Sequence, residues 1–259
     1  MKIFLSLLIL FVVGIPAVAQ EEFDLPTDKN TAVFTFDYSG GFRMRPPEGF
    51  VKKPQLQIFP DGRVLRSPNG PNLPSAEIKL TQEQLQAFLD SVVTEYSFYD
   101  VDPEGIQAAI KKTGQQIMIA DAPNVDVSIL LGQGRHEVSV YAVSHAARQF
   151  PDIKPLANLA AIEKLCRRMI SVADLGGFEQ LDAAIAKVNE KLAADHPKIP
   201  RMTVEQLQFA SKTNDKSVSA SFSSTADIDG NSSAVRANYV RKADGSEEVT
   251  VNIYPIRKR

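Results

Sequence analysis

The chain has 259 residues, with 29 Lys and Arg against 31 Asp and Glu, so its net charge is −2 at pH 7. This balance argues against proteins that bind nucleic acid or anionic membranes through overall charge. The single cysteine, Cys166, excludes an internal disulfide, so the hydrophobic core has to stabilise the fold.

The N-terminus has the pattern of a signal peptide. Met1-Lys2 precedes an apolar run over residues 3–15, and Ala17-Val18-Ala19 follows. These are a short positive region, an apolar region and a small-x-small cleavage site. We predict cleavage after Ala19, export from a bacterial-type cell to the periplasm or the medium, and no stable membrane insertion afterwards. The alternative is a retained anchor or a buried helix, although a membrane-spanning helix needs ~20 apolar residues.

The first part of the mature chain favours strands. Residues 20–30 are acidic and polar and predict a flexible leader. Residues 31–38 alternate apolar and polar side chains, which is typical of a strand. Residues 55–59 and 63–66 flank Pro60-Asp61-Gly62, a turn that predicts a β-hairpin.

Two helices and a second hairpin are predicted next. Thr81 and Gln84 form a capping box ahead of apolar residues that share one helical face. Asp102-Pro103 is typical of the start of a helix. Residues 125–131 and 136–142 alternate on either side of a glycine-rich turn, so they predict a hairpin.

The C-terminal half predicts helices and then a small sheet. Residues 155–172 and 178–192 show helical periodicity, and Cys166 belongs to the apolar stripe of the first, so we interpret it as a buried structural thiol. Four β-prone runs follow within residues 204–254. We therefore predict an α+β fold, with antiparallel hairpins packed against three or four helices and a C-terminal antiparallel meander. The predicted divisions are an α+β domain over 31–195, a linker over 196–203 and a β module over 204–259.

No motif in the sequence predicts a catalytic or cofactor site. The three histidines, His136, His145 and His196, lack metal-ligand spacing. No glycine-rich phosphate loop and no G-x-S-x-G elbow is present. We predict no catalytic residue set, no metal and no cofactor.

A basic and aromatic loop is the most unusual surface feature. Residues 40–53 are rich in Pro, Gly, Phe and basic residues, which predicts an irregular loop. Aromatic and Arg side chains are enriched at protein interfaces. We therefore predict a binding site at Phe42, Arg43, Arg45 and Phe50. The alternative is that the apolar side chains of this loop cover the edge of the core.

The region of about residues 31–100 resembles a known module. The features that carry this likeness are a strand ending in Ser39-Gly40-Gly41-Phe42, a hairpin through Asp61-Gly62-Arg63, and a helix with Leu80-Thr81 and Phe88-Leu89. Over about residues 31–100 this order resembles exported bacterial proteins of uncharacterised function and is similar to emfourin-type inhibitors of thermolysin-like metalloproteases. The resemblance implies a compact sheet with a packed helix and an inhibitor-like binding role. No inhibitory residue is carried over, because those inhibitors lack residues 44–53 and everything after the first helix.

Three functions remain open from the sequence. The first is a non-enzymatic envelope protein that binds another envelope or secreted protein. The second is an extracytoplasmic hydrolase whose site is scattered along the chain and uses His136 or His145. The third is a structural module of the cell surface, formed by the Ser- and Thr-rich meander.

Overall fold

Two antiparallel sheets organise the protein. The computed structural model describes residues 23–41, 51–68, 74–228 and 230–256. The first sheet has the order β4-β3-β2-β1-β5-β6 and comprises β1 (Phe34–Ser39), β2 (Leu56–Ile58), β3 (Arg63–Arg66), β4 (Ala76–Lys79), β5 (Asn124–Leu131) and β6 (Gly134–Tyr141). The second has the order β10-β9-β8-β7 and comprises β7 (Leu207–Lys212), β8 (Val218–Ile228), β9 (Asn231–Arg241) and β10 (Glu247–Pro255).

Five α-helices in the described part of the chain complete a mixed α+β fold, and this confirms the predicted fold class. They are α1 (Gln82–Asp90), α2 (Pro103–Lys112), α3 (Val143–Gln149), α4 (Lys154–Leu175) and α5 (Phe178–Asp195). A π-helical turn extends α1, and short 3-10 turns lie at Phe98–Asp100 and Val204–Gln206. The sequence analysis missed β4 and α3, which are four and seven residues long and too short to show a clear period.

Local side-chain chemistry determines where the first helices begin. Thr81 accepts a hydrogen bond from the Gln84 backbone N–H, and the Gln84 side chain accepts one from the Thr81 N–H. Asp102 accepts hydrogen bonds from two backbone N–H groups at the start of α2. Each bond satisfies an N–H that has no partner inside the helix, so both predicted helix starts are confirmed.

The core of the first sheet lies on the face that carries the helices. Phe34 of β1 pairs with Ile58 and Ile129 on its two neighbouring strands, and all three side chains are fully buried. The ring of Phe34 packs edge-on against Phe88 of α1, with 4.9 Å between the centroids. Alternation along β1 therefore directs one set of side chains to the core and leaves the other set on the opposite face.

Helix α4 connects the two sheets. It contacts β3 and β4 of the first sheet and β7 and β8 of the second. Its buried residues include Leu159, Cys166 and Val172, and also the polar residues Glu163 and Asp174. A helix that is covered on more than one side buries more than a narrow stripe, which explains why polar positions of α4 are also removed from water.

The chain between α5 and β7 contacts the rest of the protein. Asn189 of α5 makes two hydrogen bonds with the backbone of Met202, at 2.9 and 2.7 Å. Ile199 and Met202 are buried. The Ser171 hydroxyl of α4 accepts a hydrogen bond from the Ala210 N–H. The predicted domain boundaries at 196–203 stay a prediction. Separating residues 31–195 from residues 204–259 would break these hydrogen bonds and expose the buried side chains.

The described part of the predicted leader also contacts the first sheet. The Gly132 N–H donates a hydrogen bond to the Asp24 carbonyl oxygen at 2.9 Å. Phe23 and Leu25 are partly buried against the core. These contacts attach residues 23–25 to the β5–β6 turn.

Candidate functional site

The predicted interface residues of the loop lie outside the described part of the chain: Phe42, Arg43, Arg45 and Phe50. The end of the loop, which is described from residue 51, is attached to β1. The ammonium of Lys52 lies 2.5 Å from the Asp37 carboxylate and donates a hydrogen bond to the Tyr38 carbonyl oxygen. The interface role of the loop stays a prediction.

A cleft of about 750 Å³ lies between α3, α4 and the chain that enters the second sheet. Helices α3 and α4 supply one side, and residues 205–208 supply the other. Apolar side chains form part of the lining, and charged or polar side chains form the rest. The lining residues are Ser144, Ala147, Arg148, Ala157, Ala160, Lys164, Arg167, Arg168, Glu205, Leu207 and Gln208.

Of the five charged residues in the described lining of this cleft, four are cations. Arg167 and Arg168 lie three and four residues after Lys164 on α4, which places all three on one side of the helix. Arg148 comes from α3, and its Nε donates a hydrogen bond to the Ser144 carbonyl oxygen at 3.1 Å. Since the first and last cations on α4 are four residues apart, they lie about 6 Å apart along the helix axis. The cleft therefore presents several positive charges over more than one turn of helix.

A buried carboxylate lies behind the serine of this cleft. Glu163 is only 5% exposed. Its Oε2 accepts a hydrogen bond from the Ser144 hydroxyl at 2.5 Å, and its Oε1 accepts one from the Tyr38 hydroxyl at 2.7 Å. Both carboxylate oxygens thus have a donor, as a buried acidic group requires. This network joins β1, α3 and α4 at one end of the cleft.

The pKa values of two groups beside Glu163, the Tyr38 hydroxyl and the Cys166 thiol, are raised. Burial raises the pKa of the Tyr38 hydroxyl, and the charge of Glu163 and its hydrogen bond raise it further. Burial also raises the pKa of the Cys166 thiol well above its ordinary value, with a further contribution from Glu163. Cys166 is fully buried, as predicted, and a protonated, inaccessible thiol is a poor nucleophile.

Among the described residues that line the cleft, Glu205 is the single acidic one. It lies in the 3-10 turn before β7, and its carboxylate accepts a hydrogen bond from the Thr203 hydroxyl. That hydrogen bond is the main reason why the pKa of Glu205 lies below its usual range, and the charges of Arg168 and Lys164 lower the pKa further. Glu205 is therefore ionised at neutral pH and opposes the cations on α4.

The histidines of the hydrolase hypothesis do not meet in this cleft. Neither His136 nor His145 is among the described residues that line it. The ring of His136 packs against Phe98 and Tyr99, at 5.1 and 5.4 Å between centroids. The structure instead brings Ser144, next to His145 in sequence, against Glu163.

A second polar groove, of about 370 Å³, lies on the outer face of the first sheet. Asp37, Asp126 and Glu137 give it acidic character, and Asp37 is paired with Lys52. Within the described ranges, no three or more His, Cys, Asp or Glu side chains are grouped so that they could hold a metal ion. In the same ranges, no helix has the length and apolar character needed to cross a membrane.

Comparisons with known proteins give no relative. No protein-family model, no curated protein and no solved structure matches the chain.

The sequence analysis did not identify the cleft. One signal was present, because Lys164, Arg167 and Arg168 share a helical face that is separate from the apolar stripe. That pattern is also typical of any solvated helix face. Arg148 and Glu205 join the cleft only through tertiary contacts, and the burial of Glu163 depends on α3 and β1 covering it.

Proposed function

We propose that this protein is a non-enzymatic extracytoplasmic binding protein whose cleft between α3, α4 and residues 205–208 takes an acidic segment of another envelope or secreted protein. The observation that carries the proposal is the set of four cations around one open cleft. The chain as a whole is slightly acidic, with a net charge of −2, so this local excess of positive charge is a property of the site. Such a site attracts anionic ligands and increases the rate at which they associate.

The spacing of the cations favours a chain-like ligand. Lys164, Arg167 and Arg168 extend along α4, and Arg148 adds a charge from the neighbouring helix. A single small anion contacts one or two guanidinium groups. A peptide segment with several carboxylates contacts all four, and the apolar lining accommodates its backbone and side-chain stems.

Peptide binding with charge-matched variants tests this proposal. The probe is a fluorescent peptide that contains four consecutive glutamates, and the measurement is fluorescence anisotropy at 50 mM and 500 mM salt. We expect Arg167→Ala/Arg168→Ala to weaken binding at least tenfold, because two cations that contact the ligand are lost. The control Lys187→Ala/Lys191→Ala removes two cations from the exposed side of α5, where they pair with Glu190 and Asp195, and should leave binding unchanged.

Either of two results would contradict the acidic-segment proposal. The first is equal binding by the two double variants. The second is binding that does not weaken at 500 mM salt, since the screening length between exposed charges falls from about 14 Å at 50 mM to about 4 Å at 500 mM. If the cleft variant does lose the peptide, a pull-down of tagged residues 20–259 from the extracytoplasmic fraction of the host identifies the partner, with the Arg167→Ala/Arg168→Ala variant as the reference. Phe42→Ala/Arg45→Ala in the same pull-down tests the predicted loop interface.

The extracytoplasmic location rests on the N-terminal sequence. Cleavage after Ala19 predicts a mature chain that begins at Gln20. Mass spectrometry of the protein recovered from the periplasm and the medium measures this directly. A chain that is found only in the cytoplasm with residues 1–19 attached would contradict the proposal.

One observation favours a hydrolase as the second candidate. Ser144 lines the cleft, and its hydroxyl donates a hydrogen bond to a buried carboxylate, an arrangement in which a base adjoins a possible nucleophile. A fluorophosphonate probe separates the two candidates, because it labels activated serines covalently. The binding proposal expects no label on Ser144. A label that disappears in both Ser144→Ala and Glu163→Gln would favour the hydrolase.

A further inference from the structure

Glu205 is an acidic side chain in the cleft that the proposed acidic ligand would enter. It lines the same cleft as Lys164 and Arg168, on the side that residues 205–208 supply. These two cations are also the ones whose charges act on its carboxylate. An acidic ligand that enters the cleft therefore meets two cations that already have an anionic neighbour.

The Glu205 carboxylate is held in place by its own turn. The Thr203 hydroxyl donates a hydrogen bond to Glu205 Oε2. The Thr203 N–H donates a second one to the Gln206 side-chain oxygen at 2.7 Å, which closes a capping box around the turn. These hydrogen bonds hold the backbone of the turn, and the Thr203 hydroxyl directs the exposed Glu205 carboxylate.

We infer that Glu205 is an internal counter-ion of the cleft, which partly neutralises Arg168 and Lys164 and so lowers the affinity of the cleft for acidic ligands. This inference rests on the proposed function. It leaves Arg148 and Arg167 as the cleft cations without this counter-ion, and it makes Glu205 a residue that weakens anion binding.

A double-mutant cycle tests the inference with the tetraglutamate peptide and the intact protein. Glu205→Gln keeps the shape of the side chain and its ability to accept from Thr203, but it removes the charge. We expect Glu205→Gln to bind the peptide about threefold more tightly at 50 mM salt, as is typical for the loss of one exposed charge interaction. In an Arg168→Ala background the same change should give a clearly smaller gain, because the counter-ion then has one cation fewer to neutralise.

The outcomes separate this inference from the proposed function. If the wild-type protein binds the peptide and Arg167→Ala/Arg168→Ala loses it, while Glu205→Gln gains nothing, then the counter-ion inference is overturned and the acidic-segment proposal stands. An equal gain in the two backgrounds also overturns the inference, because it shows plain repulsion of the ligand rather than neutralisation of Arg168. If no variant binds the peptide, both are overturned. Glu104→Gln, at an exposed position in the first turn of α2, is the matched control and should change nothing.

Discussion

Helix α4 buries two carboxylates, and the structure satisfies them in different ways. Glu163 accepts two hydroxyl hydrogen bonds, one at each oxygen. Asp174 faces a guanidinium instead, with Arg66 Nε 3.1 Å from its Oδ1, and its side chain is only 1% exposed. The Oδ1 atom accepts no aligned hydrogen bond in the described structure, so proximity of charge is what holds this pair.

The contrast shows that an opposite charge nearby does not always compensate for burial. Burial raises the pKa of Asp174 to about 6, although Arg66 and Lys212 both act to lower it. The cost of removing the carboxylate from water therefore exceeds the attraction of the two cations. The Glu163 site uses short, aligned hydrogen bonds from neutral donors, and it joins the cleft to the first sheet. The Asp174 site joins the first sheet to the C-terminal end of α4.

Removal of Arg66 should have the largest effect, because it leaves Asp174 buried without its nearest cation. We expect Arg66→Met to lower the free energy of unfolding at pH 7.5 by about 3–5 kcal/mol. The loss should be smaller at pH 5, where Asp174 is protonated. Urea unfolding at the two pH values measures it. The control is Arg135→Met, because Arg135 forms a similar pair with Glu137 while its side chain is 52% exposed, and we expect a change of about 1 kcal/mol or less there. Equal losses at the two sites would show that burial does not distinguish them.

The second effect is a pH dependence due to Asp174. In the folded protein this carboxyl holds its proton up to about pH 6, whereas its ordinary pKa is 3.8. The folded state therefore binds more protons than the unfolded state between these values. The stabilising contribution is complete below pH 3.8 and is lost as the pH rises to about 6 and beyond, and it amounts to about 3 kcal/mol.

Asp174→Asn removes this titration and keeps the size of the side chain. We expect the free energy of unfolding of the wild type, relative to that of Asp174→Asn, to fall by about 2–3 kcal/mol between pH 4 and pH 7. Urea unfolding of both proteins across that range measures the difference. Parallel curves would mean that the carboxyl has its ordinary pKa in the folded state. The attraction of Arg66 and Lys212 would then offset the cost of burying Asp174 in full.

The third effect concerns the hydrogen bond that Tyr38 of β1 donates to Glu163. Tyr38→Phe removes the donor to Oε1 and leaves that oxygen buried without a partner. We expect a loss of about 1–3 kcal/mol in the free energy of unfolding, the usual cost of an unsatisfied buried acceptor. Tyr254→Phe is the control, because Tyr254 is half exposed on β10 and water can reach its hydroxyl. A loss no larger than that of the control would mean that water replaces the Tyr38 hydroxyl.

The sequence predicts those parts of this fold that depend on neighbouring residues. The capping box at Thr81 and the turn at Asp61-Gly62 are local, and both appear in the structure. Helix α4 was predicted too, but the sequence does not distinguish the environment of Glu163 from that of Lys164, its exposed neighbour. Glu163 is buried by β1, which is distant in the chain, and by α3, which is too short to predict. The cleft is formed by the same tertiary contacts, so it could not be predicted from local pattern either.

The smallest effect should come from the other donor of the Glu163 site. Ser144→Ala removes the hydrogen bond to Oε2, but Ser144 is exposed at the cleft, so water can take the place of its hydroxyl. We expect a loss of about 1 kcal/mol or less, smaller than that of Tyr38→Phe, with tetraglutamate binding retained because the backbone carbonyl that positions Arg148 remains. Urea unfolding and anisotropy measure the two quantities. If Ser144→Ala costs as much as Tyr38→Phe, then water does not reach Glu163 from the cleft, and this carboxylate is as isolated from solvent as Asp174.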